Sequence, residues 1–220
     1  AVIFDLDNTL IDFMKMKRIS CEAAINAMID SGLKINKKDA MEKLFKLYGK
    51  FGFEDPKIFQ KFLLKLTNNI DYNILANGIV AYRKVRSGFL EPYPRTLEVL
   101  YKLKNKNLKL AILSDAPRLK AYLRLASMKL TNFFDVVVTF DDTKTLKPST
   151  KPFKVALKKL NLKPENCLMV GDRPERDIKG ANKLGIKTCF AKYGYIRGAK
   201  VDADYEINNI TELLNIDIIS

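Results

Sequence analysis

Near its beginning the chain runs Val2-Ile3-Phe4-Asp5-Leu6-Asp7-Asn8-Thr9-Leu10, an apolar strand-like stretch ending in two carboxylates and a threonine. Residues i and i+2 of a strand share a face, so Asp5 and Asp7 can aim at one point beyond the strand tip. Two carboxylates held that close repel each other unless a cation or a shared proton offsets the charge. An isolated pair of this kind fits a solvated turn as well as a site, and the rest of the chain has to decide. Three later segments bear on it: Ser114-Asp115, Lys147-Pro148, and Gly171-Asp172 with Asp177 five residues further on.

These residue types suggest roles. Asp5, Asp7 and Asp172, supported by Asp177, can hold a hard divalent cation; carboxylate oxygens and water suit Mg²⁺, which commonly pairs with phosphate. Ser114 can donate a hydrogen bond to a phosphoryl oxygen, Lys147 can give a charge-assisted one, and exposed N–H groups after the first strand can cradle others. One carboxylate can act as a nucleophile. A second can protonate a leaving alcohol and later deprotonate water. The chain contains no histidine, which excludes Ser-His-Asp and Cys-His catalysis and any His-ligated metal. Cys21, Cys167 and Cys189 form no CxxC pair.

The elements that must position these groups follow from hydrophobic periodicity. Residues 13–89 lack a convincing strand and read as four helices, near 17–31, 37–48, 56–66 and 72–85. From residue 90 onward helices alternate with short apolar strands, at 108–113, 136–140, 167–170 and 187–190, with a further short strand near 205. Continuous apolar strands imply a sheet covered on both faces, and repeated strand-helix units imply parallel strands with right-handed crossovers. The expected fold is α/β. Residues 1–12 and 90–220 form a discontinuous Rossmann-like parallel-sheet core, and residues 13–89 form an inserted all-helical domain. Ligands of such sheets sit outside the carboxyl ends of the strands, where all four chemical segments fall.

The net charge is +14, from 39 Lys and Arg against 25 Asp and Glu. Nucleic-acid binding is the competing reading of such a balance. The lysines are, however, spread over nearly every helix, with no basic arm or aromatic-rich RNA-binding strand, and a diffuse surface attractive to anionic substrates fits better. No apolar run is long enough to span a membrane, and the opening residues read as an apolar strand rather than as a signal peptide with a basic head. A cytoplasmic protein, monomeric or weakly homodimeric, is expected. Ala1 is already strand-like, so one or more residues are expected before it. The Lys- and Ile-rich composition fits a thermophile.

The four segments, in this order, resemble the signatures of the haloacid dehalogenase-like hydrolase superfamily, most of whose members are phosphatases. Asp5-Leu6-Asp7-Asn8-Thr9 resembles its D-x-D-x-T motif. Lys147, with Pro148 and Phe153, resembles its third-motif lysine, and Gly171 to Asp177 resembles its G-D-x-x-x-x-D motif. The resemblance implies that Asp5 is the nucleophile and also helps hold Mg²⁺. It implies that Asp7 is the general acid/base, with its backbone carbonyl, rather than its carboxylate, on the metal. Ser114 would bind the phosphoryl group, Lys147 would orient the nucleophile, and Asp172 would be a direct metal ligand supported by Asp177 and Thr9. Arg173 stands where a small residue is frequent and is expected to alter the metal's surroundings without abolishing binding. The presence of Asp7 argues against the dehalogenase branch.

The helical insert resembles a C1-type cap, found over the sites of enzymes for small soluble substrates. Of the residues near it, Lys17 and Arg18 can contact substrate or stand as solvated bases at a helix start, and the aromatic group Tyr48, Phe51 and Phe53 can close over a ligand or bury the insert's core. Arg118, after the Ser114 loop, is a candidate for a substrate carboxylate or phosphate, and Asp115 for support of the loop or site. At finer grain, Ala81-Tyr82, Ser114-Asp115 and Met169–Arg173 resemble an archaeal subgroup of glyceraldehyde 3-phosphate phosphatases. This implies a small phosphorylated metabolite as substrate, glyceraldehyde 3-phosphate or alternatively phosphoglycolate.

Overall fold

The computed structural model describes residues 1–195 and 201–217. Strands β1 (Val2–Phe4), β2 (Leu110–Leu113), β3 (Val136–Val138), β4 (Leu168–Gly171), β5 (Lys187–Ala191) and β6 (Tyr205–Ile207) form one sheet. Their order is β3-β2-β1-β4-β5-β6, with every neighbouring pair parallel. The chain winds outward from β1 in one direction through β2 and β3 and in the other through β4 to β6. The order therefore reverses between β1 and β4, the place where open α/β sheets bind ligands. Val2, Ile3 and Phe4 are opposite Leu110, Ala111 and Ile112 on one side and Leu168, Met169 and Val170 on the other. This register brings the carboxyl ends of β1, β2 and β4 level with one another. All of these residues are buried, which explains the unbroken apolar runs.

Helices cover the sheet between strands. They are α5 (Thr96–Asn105), α6 (Arg118–Ser127), α7 (Phe140–Thr143), α8 (Thr150–Leu160) and α9 (Lys179–Asn182) in the core. The insert contributes α1 (Phe13–Asp30), α2 (Lys37–Phe51), α3 (Ile58–Thr67) and α4 (Tyr72–Gly88). Contacts divide the chain into a unit of Ala1–Phe13 with Glu91–Ser220 and a second unit of Met14–Leu90. Among the described residues, no helix is long and apolar enough to cross a membrane.

The helical unit has its own core, centred on Ala24, Ile25, Met28, Leu44, Tyr48 and Phe62. Lys17 is buried within it rather than solvated, its Nζ donating to the Phe53 carbonyl at 2.8 Å and lying 4.5 Å from the Tyr48 ring centroid. Tyr48 and Phe53 stack at 5.3 Å, so both serve that core. Helix α2 passes through Gly49, where the sequence suggests a stop, because Leu47 and Tyr48 are packed and outweigh one glycine's poor propensity.

In the sheet unit the elements differ from expectation mainly at their ends. Strand β2 begins at Leu110 rather than 108 because residues 107–109 complete the exit from α5, with Asn107 left-handed and the Leu108 N–H bonded to Leu103. The expected helix after Asp172 starts with a π-type turn, Pro174–Ile178, and continues only as far as α9. The last expected helix is a 3₁₀ segment, Ile210–Asn215.

Strand β3 stops at Val138 because Thr139 starts α7, an element absent from the sequence reading. The Thr139 N–H and hydroxyl both donate to Asp142 Oδ2, at 2.9 and 2.8 Å. Lys159 donates to Asp142 Oδ1 at 2.9 Å, and Arg118 lies 3.2 Å from the same oxygen. Partial burial opposes the charge on Asp142, but the Thr139 N–H, Lys159 and the Thr139 hydroxyl outweigh it and bring the carboxyl down to about 2. A carboxyl with a folded value below its unfolded one contributes stability above the unfolded value, near 4, and loses it as pH falls through the folded value. Asp142→Asn should therefore cost about 1 kcal/mol at neutral pH, the usual worth of such a cap. The difference from wild type in urea midpoint should close as pH falls from about 4 to about 2.

Candidate active site

Asp5 follows the last residue of β1, and its N–H donates to the Val170 carbonyl of β4 at 2.8 Å. The register thus fixes the backbone that bears the carboxylate. Lys147 Nζ donates to Asp5 Oδ1 at 2.6 Å and to the Leu113 carbonyl at the end of β2 at 2.8 Å, and lies 2.7 Å from Asp177 Oδ1. Its side chain is buried. Burial works against the ammonium charge most strongly, yet the carboxylates of Asp177, Asp5 and Asp115 together hold it well above the ordinary lysine value.

Asp172 follows β4 and is buried, as is Asp177 on the π-type turn. Asp5, Asp172 and Asp177 each place one carboxylate oxygen within 4.8 Å of the others. Burial, then the neighbouring charges of Asp5 and Asp177, pushes the Asp172 carboxyl up to about 9. Burial likewise raises Asp177, although Lys147 beside it pulls the other way. Three carboxylates facing one ammonium carry excess negative charge, so the set favours either a retained proton or a cation. Buried oxygen ligands in this number suit a hard divalent ion. The cluster therefore fits a metal site by its donor chemistry.

Two glycines make the close approaches possible. A side chain at Gly171 would put its Cβ 2.4 Å from Asp177 Oδ2, and one at Gly194 would lie 1.7 Å from the Asn8 carbonyl oxygen. Gly194 belongs to the 3₁₀ turn Lys192–Gly194 after β5, and Tyr193 in the same turn donates from its hydroxyl to the Thr9 carbonyl at 2.8 Å. That turn seats the loop after β1, in which Asn8 is left-handed at φ 63°. Thr9 is buried, and its hydroxyl lies 3.5 Å from Asp172 Oδ1.

The remaining residues singled out from sequence fall as follows. Ser114 is buried at the end of β2, its Oγ accepting from the Ala116 N–H at 3.1 Å. Asp115 ties loops together: Oδ1 accepts from the Lys147 N–H at 2.9 Å, and Oδ2 from Arg176 at 3.2 Å. Arg118 is exposed and engaged with Asp142. Arg173 uses its N–H to donate to Asp177 Oδ2 at 3.0 Å, and its guanidinium pairs with Glu175.

The expectation that the Asp5 and Asp7 carboxylates share one point is corrected. Strand β1 ends at Phe4, so alternation no longer governs Asp7, and its Oδ2 lies 3.0 Å from Nη1 of Arg124 on α6. Among the described residues, the third carboxylate of the cluster is Asp177, which the sequence reading placed in support. Arg124, Arg176 and Tyr193 were not anticipated. Only Arg124 leaves a signal: a charged residue at an otherwise apolar position of an amphipathic helix, beside Ala121 and Leu125.

Comparison with known proteins agrees with this geometry. A family profile described as "Haloacid dehalogenase-like hydrolase" matches residues 2–191. A glyceraldehyde 3-phosphate phosphatase of Methanocaldococcus jannaschii is 35% identical over 218 residues, 98% of this chain and 96% of that one. One from Pyrococcus furiosus is 33% identical over 98% of this chain and 92% of its own length. The crystal structure of a HAD phosphatase from Thermococcus onnurineus superposes with a TM-score of 0.71 at 25% identity, covering 98% of this chain and 96% of that one. The chain belongs to the haloacid dehalogenase-like hydrolases, in the phosphatase branch that carries an inserted all-helical cap of the C1 type. It is an aspartate-based hydrolase with a buried aspartate cluster.

Gly171→Ala tests the cluster without removing a carboxylate. The new Cβ would displace the Asp177 carboxylate, and disturbing groups around a metal's ligands typically costs about 10- to 100-fold in affinity. The expected outcome is that much loss of divalent-cation affinity by calorimetric titration, with the far-UV circular dichroism spectrum retained.

Proposed function

We propose that this protein is a Mg²⁺-dependent phosphomonoesterase acting through a phosphorylated Asp5. The observation that carries the reading is the buried Lys147 ammonium between Asp5 and Asp177, beside Asp172. Lys147 holds Asp5 Oδ1, which orients the carboxylate for attack. The Ser114 hydroxyl donates to a phosphoryl oxygen, and Lys147 offsets part of the phosphate charge. Asp5, Asp172 and the Asp7 carbonyl hold Mg²⁺, with Asp177 and Thr9 supporting them. One oxygen of the Asp7 carboxylate, Oδ2, faces Arg124, and the main-chain carbonyl of that residue is the proposed ligand. A cation held there would offset phosphoryl charge.

The reaction proceeds in two displacements. An Asp5 oxygen bonds to phosphorus as the bond to the substrate alcohol breaks, and the departing oxygen takes a proton from Asp7. A water then bonds to phosphorus as the aspartyl-phosphate bond breaks, and its proton passes to Asp7. Without histidine, carboxylates are the side chains suited to this proton traffic at neutral pH.

Glyceraldehyde 3-phosphate is the proposed substrate. The support is that several curated relatives matched along nearly their whole length, the two described above among them, bear that activity in their names. Purified protein should release phosphate from p-nitrophenyl phosphate with Mg²⁺ and stop on chelation, and Asp5→Asn should lower kcat by at least about 10³-fold. In a phosphomonoester panel that includes phosphoglycolate, kcat/KM should be highest for glyceraldehyde 3-phosphate. Release of no phosphate across the whole panel by metal-replete protein would sink the phosphatase reading. A higher kcat/KM on another ester would overturn the substrate alone.

A further inference from the structure

Helix α6 turns Ala121, Arg124 and Leu125 inward. Only 1% of the Arg124 side chain is exposed. A guanidinium keeps its charge at any accessible pH, and burying it is costly unless an anion faces it. The anion is Asp7, with Nη1 3.0 Å from Oδ2. The guanidinium carbon also lies 4.7 Å from the centroid of the Phe13 ring, a cation–π contact that helps fix its position. Phe13 is itself buried. The arginine is thus held by helix, ring and carboxylate together.

Asp7 stands in a different setting from Asp5. Asp5 is still tied to β4 by its N–H bond to Val170, whereas the residue after Asp7 is left-handed, and 27% of the Asp7 side chain is exposed against 10% for Asp5. Its backbone position is set by the loop, but an aspartate side chain there still has two torsions to settle. Proton transfer requires the carboxyl to reach one oxygen of the reacting group within hydrogen-bond distance, and a misplacement of about 1 Å can cost about 100-fold in rate.

We propose that Arg124 is a positioning residue for proton transfer by Asp7, fixing the carboxylate through the ion pair to Oδ2. This rests on the reading of Asp7 as acid and base given above. Its consequence is selective. In the first displacement an alkoxide leaves poorly unless it is protonated as its bond to phosphorus breaks, whereas p-nitrophenolate leaves readily as the anion. Loss of Asp7 alignment should therefore penalise alkyl esters and largely spare the nitrophenyl ester. A general loss of packing would penalise both alike.

The test compares kcat/KM on glycerol phosphate and p-nitrophenyl phosphate at saturating Mg²⁺, because that ratio covers steps up to release of the leaving group. Arg124→Met should lose about 10- to 100-fold more on glycerol phosphate than on the nitrophenyl ester. Arg124→Lys, which keeps a buried cation on a different stem, should show the same selectivity to a smaller extent. Equal losses on both substrates, or no loss on either, overturn the proposal. If Arg124→Met does not fold, the lysine variant is judged by the same criterion. Asp7→Asn separates the two levels. If it lacks the leaving-group selectivity, the reading of Asp7 as acid fails. If it shows the selectivity and the Arg124 variants do not, only the role of Arg124 fails.

Discussion

The structure depends on one buried ammonium. Lys147 directs its Nζ to three acceptors: a carboxylate after β1, a carboxylate on the turn after β4, and the main-chain carbonyl that ends β2. An ammonium has three protons and no acceptor capacity; here it donates to Asp5 and to the Leu113 carbonyl, and Asp177 faces the same charge as an ion pair. Breaking such a buried set by removing one partner typically costs about 3–5 kcal/mol, because the remaining charge is left uncompensated. The lysine therefore does more than contribute positive charge. It can be satisfied only when the ends of β1, β2 and β4 are level, which the parallel register provides.

The loops that bear the other groups are fixed by contacts of the same local kind. Asp115 accepts from the Lys147 N–H and from Arg176, and so joins the segments after β2, before α8 and after β4. The turn after β5 presses Gly194 against Asn8 and bonds Tyr193 to Thr9. Gly171 lets the Asp177 carboxylate lie against the end of β4, where any side chain would collide with it. These contacts bury a cluster of like charges, and burial first, then repulsion from Asp5 and Asp177, raises the Asp172 carboxyl. A site rigid enough to keep three carboxylates together is set up to favour a cation of higher charge.

Much of this was legible in the sequence, for identifiable reasons. The buried strands are short and continuously apolar, and the residues after them carry the chemistry, so Asp5, Ser114 and Asp172 could be placed at one sheet end from pattern alone. Element ends were less legible, because hydrogen bonds made far along the chain decide them. Strand β3 ends where Thr139 finds Asp142, itself held by Lys159 from α8. Helix α2 outruns Gly49 because packing in the helical unit dominates local propensity. Periodicity carries no information about such partners. Arg124 was visible as an anomaly on an apolar helix face, but its partner lies 117 positions away and only the fold brings them together.

The two opening aspartates show how far a strand pattern can be carried. Alternation holds only while the ladder lasts, and it ends at Phe4, one residue before the first carboxylate. Beyond that point the two identical side chains are distinguished by the cations that meet them. Asp5 faces an ammonium, a compact charge shared with a second carboxylate. Asp7 faces a guanidinium, a permanent charge whose place is set by its helix and by the Phe13 ring. A nucleophile needs one oxygen held and the other left to meet phosphorus, and the ammonium holds Oδ1 of Asp5. A group that must give and regain a proton needs its orientation held through both steps. A planar, permanently charged donor on a helix is suited to that, and the difference between lysine and arginine thus follows the division of labour between the two aspartates.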